Sequence, residues 1–158
     1  NTMNAGKEKI DMSALYTLYA GRRDCFVDVK FNKSVPAYQF ATGIINVKNS
    51  VEHSNKKGLR GCWGIDWPVS EKDSAGHKRE TVGLGIYIPA KYVISELPAN
   101  TDNYPFVVGN ATDELHYNIT FGSDNESFGY HSSEEWFRYL DAWKDELEQP
   151  AIVKIKEQ

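Results

Sequence analysis

The sequence has little of what marks several large classes of protein. Its two cysteines, Cys25 and Cys62, are too few for a disulfide scaffold or for a zinc site of their own. The formal net charge is −4, and the small basic clusters do not form the extended basic face typical of nucleic-acid binding. No apolar run approaches the roughly 20 residues that a membrane-spanning helix needs. Neither nucleic acid nor a membrane is therefore an expected partner.

Motifs that would name a reaction are also missing. The chain contains no Gly-rich phosphate loop, no HExxH, no GxSxG and no paired CxxC, so it offers no motif for phosphoryl transfer, zinc proteolysis or serine hydrolysis. We expect no cofactor and no bound metal. Whether the protein is an enzyme is left open by the residues. The chain is polar from Asn1 onward, which indicates a processed chain or a piece of a longer one rather than a signal peptide.

What the sequence has in excess is aromatic side chains. They make up 13% of 158 residues, a length that suits one domain with its own core. Aromatic residues are favoured on pleated strands, and they also stack on sugar rings. Strand formation is the commoner reason for an excess of aromatic residues, so it is the preferred explanation here. Free, buried thiols are expected for Cys25 and Cys62, with a disulfide as the alternative if their strands are neighbours.

Alternating apolar and polar residues predict strands over much of the chain. The alternating segments are 10–19, 25–31, 38–47, 59–67, 81–88 and 115–121, with shorter candidates at 91–97, 106–108 and 151–155. The segment 48–58 is predicted to be a loop and 102–105 a turn. Residues 1–8 are expected to be a disordered or linker start, and residues 9–158 a single β-rich domain. Short turns between successive strands predict antiparallel pairing.

One helix is predicted near the C-terminus. Ser132 followed by Glu135 is a capping box, and an apolar stripe follows at helical spacing. The stripe consists of Trp136, Leu140, Trp143 and Leu147. Its two Trp are predicted to pack on the sheet. Gly83 and Gly85 share one strand face and leave a groove that a neighbouring aromatic or a ligand must fill, and the aromatic is preferred.

The stretch from Trp63 to Gly85 is the first candidate for a functional site. If its two strands pair as a hairpin, Asp66 and Glu80 meet at the loop end of a sheet, where binding chemistry is often found. With His77, they are the candidate acid–base residues. The preferred alternative is an ion-paired loop without catalytic function. A hard-cation site that also uses Asp73 is a less favoured alternative.

Residues around the same stretch suit a sugar ligand. Trp63 and Trp67 are candidates for stacking on a sugar, and Lys78 or Arg79 for holding an acidic sugar's carboxylate. A second set of binding candidates follows later in the chain. It comprises His116, on the polar face of its strand, and Tyr130, which is followed by His131 just before the helix cap. A structural function is preferred for His131.

Four strings carry a resemblance to a known family: TLYAGRRDCFVDV, GCWGIDWPVSEKDSAGHKRETVGLGIYIPAKYV, LHYNITFGSD and FGYHSSEEWFRYLDAWKDEL. They resemble the C-terminal part of the bacterial domain-of-unknown-function family 4861. The resemblance implies a secreted or periplasmic protein associated with the degradation of uronic-acid-containing polysaccharides. It also implies a galactose-mutarotase-like supersandwich, of which this chain would be a portion. Such a portion exposes a sheet edge, so pairing with a second copy is expected.

These observations predict a mainly β fold: an antiparallel β-sandwich, part of a supersandwich, with one C-terminal amphipathic helix. The predicted function is binding of, or action on, uronic-acid-containing oligosaccharide or polysaccharide. The alternative is a non-catalytic accessory or structural β-sandwich domain whose site lies in sequence outside this chain.

Overall fold

A computed structural model describes residues 2–34, 38–67, 70–73, 75–109 and 113–149. The strands are β1 (Thr2–Ala5), β2 (Glu8–Leu18), β3 (Asp24–Phe31), β4 (Phe40–Ile45), β5 (Val51–Ser54), β6 (Leu59–Asp66), β7 (Glu80–Tyr87), β8 (Val93–Glu96), β9 (Asn103–Val108) and β10 (Glu114–Ser123). One helix, α1 (Ser133–Glu148), follows them, and short 3-10 turns lie at Glu71–Asp73 and Ala90–Tyr92.

The strands form two antiparallel sheets. The larger has seven strands in the order β1-β2-β3-β10-β7-β6-β5, and the smaller has three in the order β4-β9-β8. β10, the last strand in the described part of the chain, lies between β3 and β7 and pairs with both. The predicted mainly β, antiparallel, sandwich-like fold with a C-terminal helix is confirmed.

The main core lies between the two sheets. Val27 on β3, Ile86 on β7 and Phe106 on β9 are fully buried in it. Because side chains alternate along a strand, every second residue of these strands faces this core. The opposite face of the seven-stranded sheet packs on α1. The large sheet is therefore covered on both sides at β6 and β7.

The start of α1 has the predicted capping geometry. The Ser132 hydroxyl accepts the Glu135 N–H at 3.2 Å, and the Glu135 carboxylate accepts the His131 N–H at 2.9 Å. These bonds satisfy backbone donors that the first turn of a helix leaves without partners. Both helix Trp are buried against the sheet, which confirms their predicted packing.

Two glycines allow the helix to approach the sheet closely. A methyl group added at Gly83 would lie 2.5 Å from the ring of Trp136, and one at Gly85 would lie 2.5 Å from Leu140. No larger residue fits at either position without moving the helix. The groove predicted from these glycines is filled mainly by an aromatic side chain of this chain, as the preferred explanation held.

Two stretches predicted to be irregular are strands. β5 lies inside the predicted loop 48–58 as a four-residue edge strand paired with β6, and its partly exposed side chains show no apolar alternation. β9 contains most of the predicted turn 102–105, and its Pro105 stands opposite Gly43 of β4. A Cβ on Gly43 would almost touch the carbonyl oxygen of Tyr104. Glycine therefore permits the close pairing of these strands around the proline.

The N-terminal residues are more ordered than predicted. Residues 2–5, expected in a disordered or linker start, form β1 and pair with β2. Gly6 has a φ of +63° in the turn between them, a conformation that costs glycine little. The Thr2 hydroxyl donates to the Asp11 carboxylate at 2.5 Å across the pair. The predicted strand at 151–155 lies outside the described residues.

The two thiols are free. Cys25 on β3 and Cys62 on β6 have β10 and β7 between them, so they are about 14 Å apart at the usual strand spacing. A disulfide requires Cα atoms within about 7 Å, which excludes a bridge between them in this fold. Burial raises the pKa of the Cys62 thiol to about 11, so this thiol stays protonated and inert near neutral pH.

Candidate functional site

The hairpin of β6 and β7 ends in a pair of carboxylates. Asp66, the last residue of β6, stands opposite Glu80, the first residue of β7. Their predicted meeting at the loop end of a sheet is confirmed. Both residues are half-buried. Directly opposed like charges destabilise a strand pair, so the pair indicates a binding function rather than a contribution to stability.

These carboxylates line a cavity at the rim of the sandwich, which we call the rim cavity. It has a volume of about 320 Å³ and is lined by Ile45, Val47, Asp66, Trp67, Glu80, Val82, Leu84 and Phe121. The lining comes from β4 and the residues after it, from the β6–β7 hairpin and from β10. Phe121 is 49% exposed and Ile45 53% exposed, because the small sheet does not cover this end of the core. The rim cavity thus has apolar walls and an acidic pair on one side.

Trp67 and Arg79 stand beside the acidic pair. The Asp66 carboxylate accepts the Trp67 N–H at 2.8 Å, which helps to fix the chain where β6 ends. The Arg79 guanidinium lies 4.9 Å from the centroid of the Trp67 ring, within the range of a cation–π interaction. Four of the residues predicted for the site therefore lie together: two carboxylates, one aromatic ring and one cation.

The two Trp of this stretch, both candidates for stacking on a sugar, face different ways. Trp63 is 8% exposed, and its ring lies 6.2 Å from that of Trp136 under α1. Trp67 lines the rim cavity on the other side of the sheet. The alternation ceases where β6 ends, so Trp67 no longer follows the face of Trp63. Trp63 packs the helix and offers little surface on which a sugar could stack.

The connecting loop carries His77 and Lys78 in exposed positions. Neither lines the rim cavity. Asp73 accepts a hydrogen bond from the Ser70 hydroxyl at 2.6 Å. Within the described part of the chain, no cluster of metal-ligating side chains joins Asp73 or His77 to the acidic pair, so the alternative of a cation site in this loop has no assembled ligand set.

The second predicted set is divided between the two ends of β10. His116 lies near the start of this strand, where its ring stacks on Phe26 with centroids 5.6 Å apart. Tyr130 follows the end of β10 and stacks on Tyr139 of α1 at 4.9 Å. His131 Nδ1 lies 2.9 Å from the Asp124 carboxylate. The contacts of Tyr130 and His131 lie toward the end of β10, whereas those of His116 lie near its start, so the three do not form one site.

His131 has a clear electrostatic partner. The hydrogen bond with Asp124 raises the pKa of the His131 imidazole above its ordinary value. Both side chains are about half exposed, as expected for a pair that holds the loop before α1. This geometry favours the structural function that the sequence indicated for His131.

Sequence reasoning missed the apolar half of the rim cavity. Ile45, Val47 and Phe121 come from segments far from the hairpin in sequence. Each reads as an ordinary strand residue, and only the packing of the two sheets brings them to the carboxylates. The one indication of this apolar surface in the sequence was the position of apolar residues at the ends of predicted strands. Apolar residues that are exposed at such ends are candidates for a ligand surface.

α1, the longest helix among the described residues, is too short and too polar to cross a membrane.

A sequence model of the family described as Domain of unknown function (DUF4861) matches residues 1–153. No match was found among curated proteins or among solved structures.

Proposed function

Because the chain belongs to the family Domain of unknown function (DUF4861), whose description states no activity, we propose a function from the rim cavity: it binds a uronic-acid-containing oligosaccharide. The supporting observation is the combination of Trp67 and Phe121 with the Asp66–Glu80 pair and the adjacent Arg79. A sugar needs apolar surface for its C–H face and acceptors for its hydroxyls. An acidic sugar also needs a cation.

Each part of the rim cavity suits one part of such a ligand. The aromatic and aliphatic walls pack against the ring, while Asp66 and Glu80 accept hydrogen bonds from hydroxyl groups. Arg79 binds a sugar carboxylate through its planar fork of N–H donors. A volume of about 320 Å³ lies at the small end of ligand pockets, so we infer that one sugar unit enters the rim cavity and the rest of the ligand lies outside.

The same geometry names the acid–base candidates for a reaction. Asp66 and Glu80 stand opposite each other and both line the rim cavity, and His77 joins them only if its loop moves inward. We propose that any turnover depends on the two carboxylates. Secretion, an association with polysaccharide degradation and a galactose-mutarotase-like supersandwich belong to the same proposal, and the family resemblance supports them.

Replacing Trp67 with alanine is expected to weaken binding of an oligogalacturonate or oligoglucuronate at least about tenfold, because the ring supplies most of the aromatic contact. Binding is measured by isothermal titration calorimetry, which does not need the Trp67 ring as a reporter, with Phe128→Ala as a matched control. Phe128 is 82% exposed and lies outside the rim cavity, so its removal leaves affinity unchanged. In Arg79→Gln, the preference for the uronate over a neutral oligosaccharide of equal length is lost.

Other results would contradict sugar binding at the rim cavity or would separate an enzyme from a binding module. If folded wild-type protein shows no saturable change with any of these oligosaccharides, or if Trp67→Ala binds as tightly as wild type, the rim cavity is not the sugar site. If binding is present, product formation that disappears in both Asp66→Asn and Glu80→Gln marks an enzyme. Binding without product marks a carbohydrate-binding module.

A second candidate function, an accessory domain that assembles with a copy of itself, is favoured by β2. β1 pairs with β2 over residues 8–11, so in the described part of the chain no strand pairs with the outer side of residues 13–18. Leu15, Tyr16 and Leu18 there are 63%, 59% and 68% exposed, and no charge interrupts the segment. Such an edge can pair antiparallel with itself about a two-fold axis. We propose a homodimer through this edge.

Substituting lysine for Leu18 is expected to convert a dimer into a monomer, because a charge on an open edge opposes strand pairing. The measurement is molar mass by light scattering during size-exclusion chromatography. Ile94→Lys is the matched control, since Ile94 is 49% exposed on a different sheet and should not alter the mass. A monomeric wild type at high concentration, or a dimer that survives Leu18→Lys, would remove this candidate.

A further inference from the structure

Three metal-ligating side chains meet on the helix-facing side of the large sheet, away from the rim cavity. Asp28 on β3 stands opposite His116 on β10. Glu114 precedes His116 by two residues and so projects from the same face of β10. One potential ligand atom from each of the three lies within 4.8 Å of the others. The strand register alone therefore assembles an imidazole and two carboxylates.

The contacts inside this trio leave polar atoms unsatisfied. Asp28 Oδ1 and His116 Nδ1 are 3.2 Å apart, yet both are buried and neither has a correctly oriented hydrogen bond within the described structure. The distance between Asp28 Oδ1 and His116 Nδ1 suits an ion pair. The orientation of the two side chains does not suit a hydrogen bond from the ring N–H to the carboxylate. Buried polar atoms without partners destabilise a fold. A cation shared by the two atoms would remove that destabilisation.

The surroundings hold the imidazole in place. The ring of His116 stacks on Phe26 and meets the edge of Tyr92 at 6.3 Å between centroids. His116 Nε2 lies 3.2 Å from Glu114 Oε1, at the other nitrogen of the ring, so Glu114 completes a site at Nδ1 by turning its half-exposed side chain. Lys30 lies 3.6 Å from Asp28 Oδ2, the oxygen not aimed at the ring, and so orients that carboxylate from outside. Ligands that are held in place by packing and by outer neighbours are features of metal sites in proteins.

We propose that Asp28, Glu114 and His116 bind one divalent transition-metal ion, with Zn²⁺ as the best match. Imidazole with carboxylate suits zinc and its neighbours, whereas Ca²⁺ and Mg²⁺ favour sites made of oxygen ligands alone. Three protein ligands leave a coordination position open, and the side chains of Asp28 and His116 are 17% and 27% exposed, so the ion is reachable from solvent. The site is independent of the proposed sugar binding and lies on the opposite face of the sheet.

The test is isothermal titration calorimetry of the full chain, stripped with a chelator, against ZnCl₂, with CaCl₂ in a parallel titration. One equivalent of Zn²⁺ binds and Ca²⁺ binds far more weakly. His116→Gln and Glu114→Gln each lower the affinity by at least about 100-fold, since losing a ligand exceeds the roughly 10–100-fold loss of an outer-shell partner. His53→Gln and His131→Gln are matched controls, because each removes an imidazole that lies beside one carboxylate, and both bind as wild type does.

Two further measurements guard against a folding artefact. Zn²⁺ raises the Tm of wild type by preferential binding to the folded state and leaves the Tm of Glu114→Gln unchanged. Glu114 has a side chain 48% exposed, so this variant is expected to fold even if His116→Gln does not. The proposal is overturned if folded wild type binds no Zn²⁺, if Glu114→Gln binds it with wild-type affinity and Tm shift, or if the control variants lose binding equally.

Discussion

Replacing Trp136 with alanine should lower the free energy of unfolding by about 3–5 kcal/mol, as expected for a large aromatic removed from a core. The side chain is fully buried. Its ring occupies the space above Gly83 and Gly122, where an added Cβ would lie 2.5 Å and 2.9 Å from ring atoms, and its indole N–H donates to the Leu84 carbonyl at 3.3 Å. Because the glycines have no side chains with which to refill that space, the cavity remains open.

Urea denaturation followed by far-UV circular dichroism measures this loss. Phe128→Ala is the control for removing an aromatic ring, since Phe128 is 82% exposed and a surface substitution of this kind changes stability by less than about 0.5 kcal/mol. Gly83→Ala tests the same contact from the sheet side and is also destabilising. A loss below about 1 kcal/mol for Trp136→Ala would mean that α1 contributes little to the stability of the sheet.

Replacing Arg60 with methionine should cost about 3–5 kcal/mol, the usual loss when one partner of a buried ion pair is removed. Arg60 is 1% exposed. Its guanidinium contacts the Glu52 carboxylate at 2.8 Å and donates to the carbonyls of Leu97 at 2.7 Å and Pro105 at 3.0 Å. Methionine fills a similar volume, but it leaves those acceptors without their donor inside the core.

The same denaturation measurement tests this prediction, with Lys56→Met as the control. Lys56 pairs with Glu96 at 2.7 Å, but its side chain is 73% exposed, so its loss costs less than about 1 kcal/mol. Arg60→Lys does not restore stability, because an ammonium lacks the planar fork that reaches one carboxylate and two carbonyls together. If Arg60→Met were as stable as wild type, the buried charge would be dispensable.

Much of the fold follows from local patterns in the sequence. Alternation identifies the long strands, and the capping box at Ser132 and Glu135 identifies the start of α1. The glycine pair at 83 and 85 predicts a filled groove, because a strand face without side chains must be covered. The hairpin places Asp66 beside Glu80, since two strands joined by a loop pair back from their ends. These features depend on residues near one another in the chain.

Features that depend on distant contacts could not be predicted in this way. The burial of Arg60 depends on partners from β5, from β9 and from Leu97 just after β8, which no pattern around Arg60 indicates. Trp67 departs from the face of Trp63 because β6 ends one residue earlier. Asp28 meets His116 only because β10 inserts next to β3, which no local pattern indicates.

The position of β10 also determines the order in which the large sheet can assemble. The hairpins β2–β3 and β6–β7 close over loops of 5 and 13 residues, but β3 pairs with β10, which begins more than 80 residues further along the chain. Bringing β3 and β10 together costs conformational entropy before the contacts between them form. Proteins dominated by long-range strand pairing fold over milliseconds to seconds. During synthesis, both hairpins present open edges until residue 123 has left the ribosome. The nascent chain is therefore most exposed to misassembly with its neighbours just before its last strand is released.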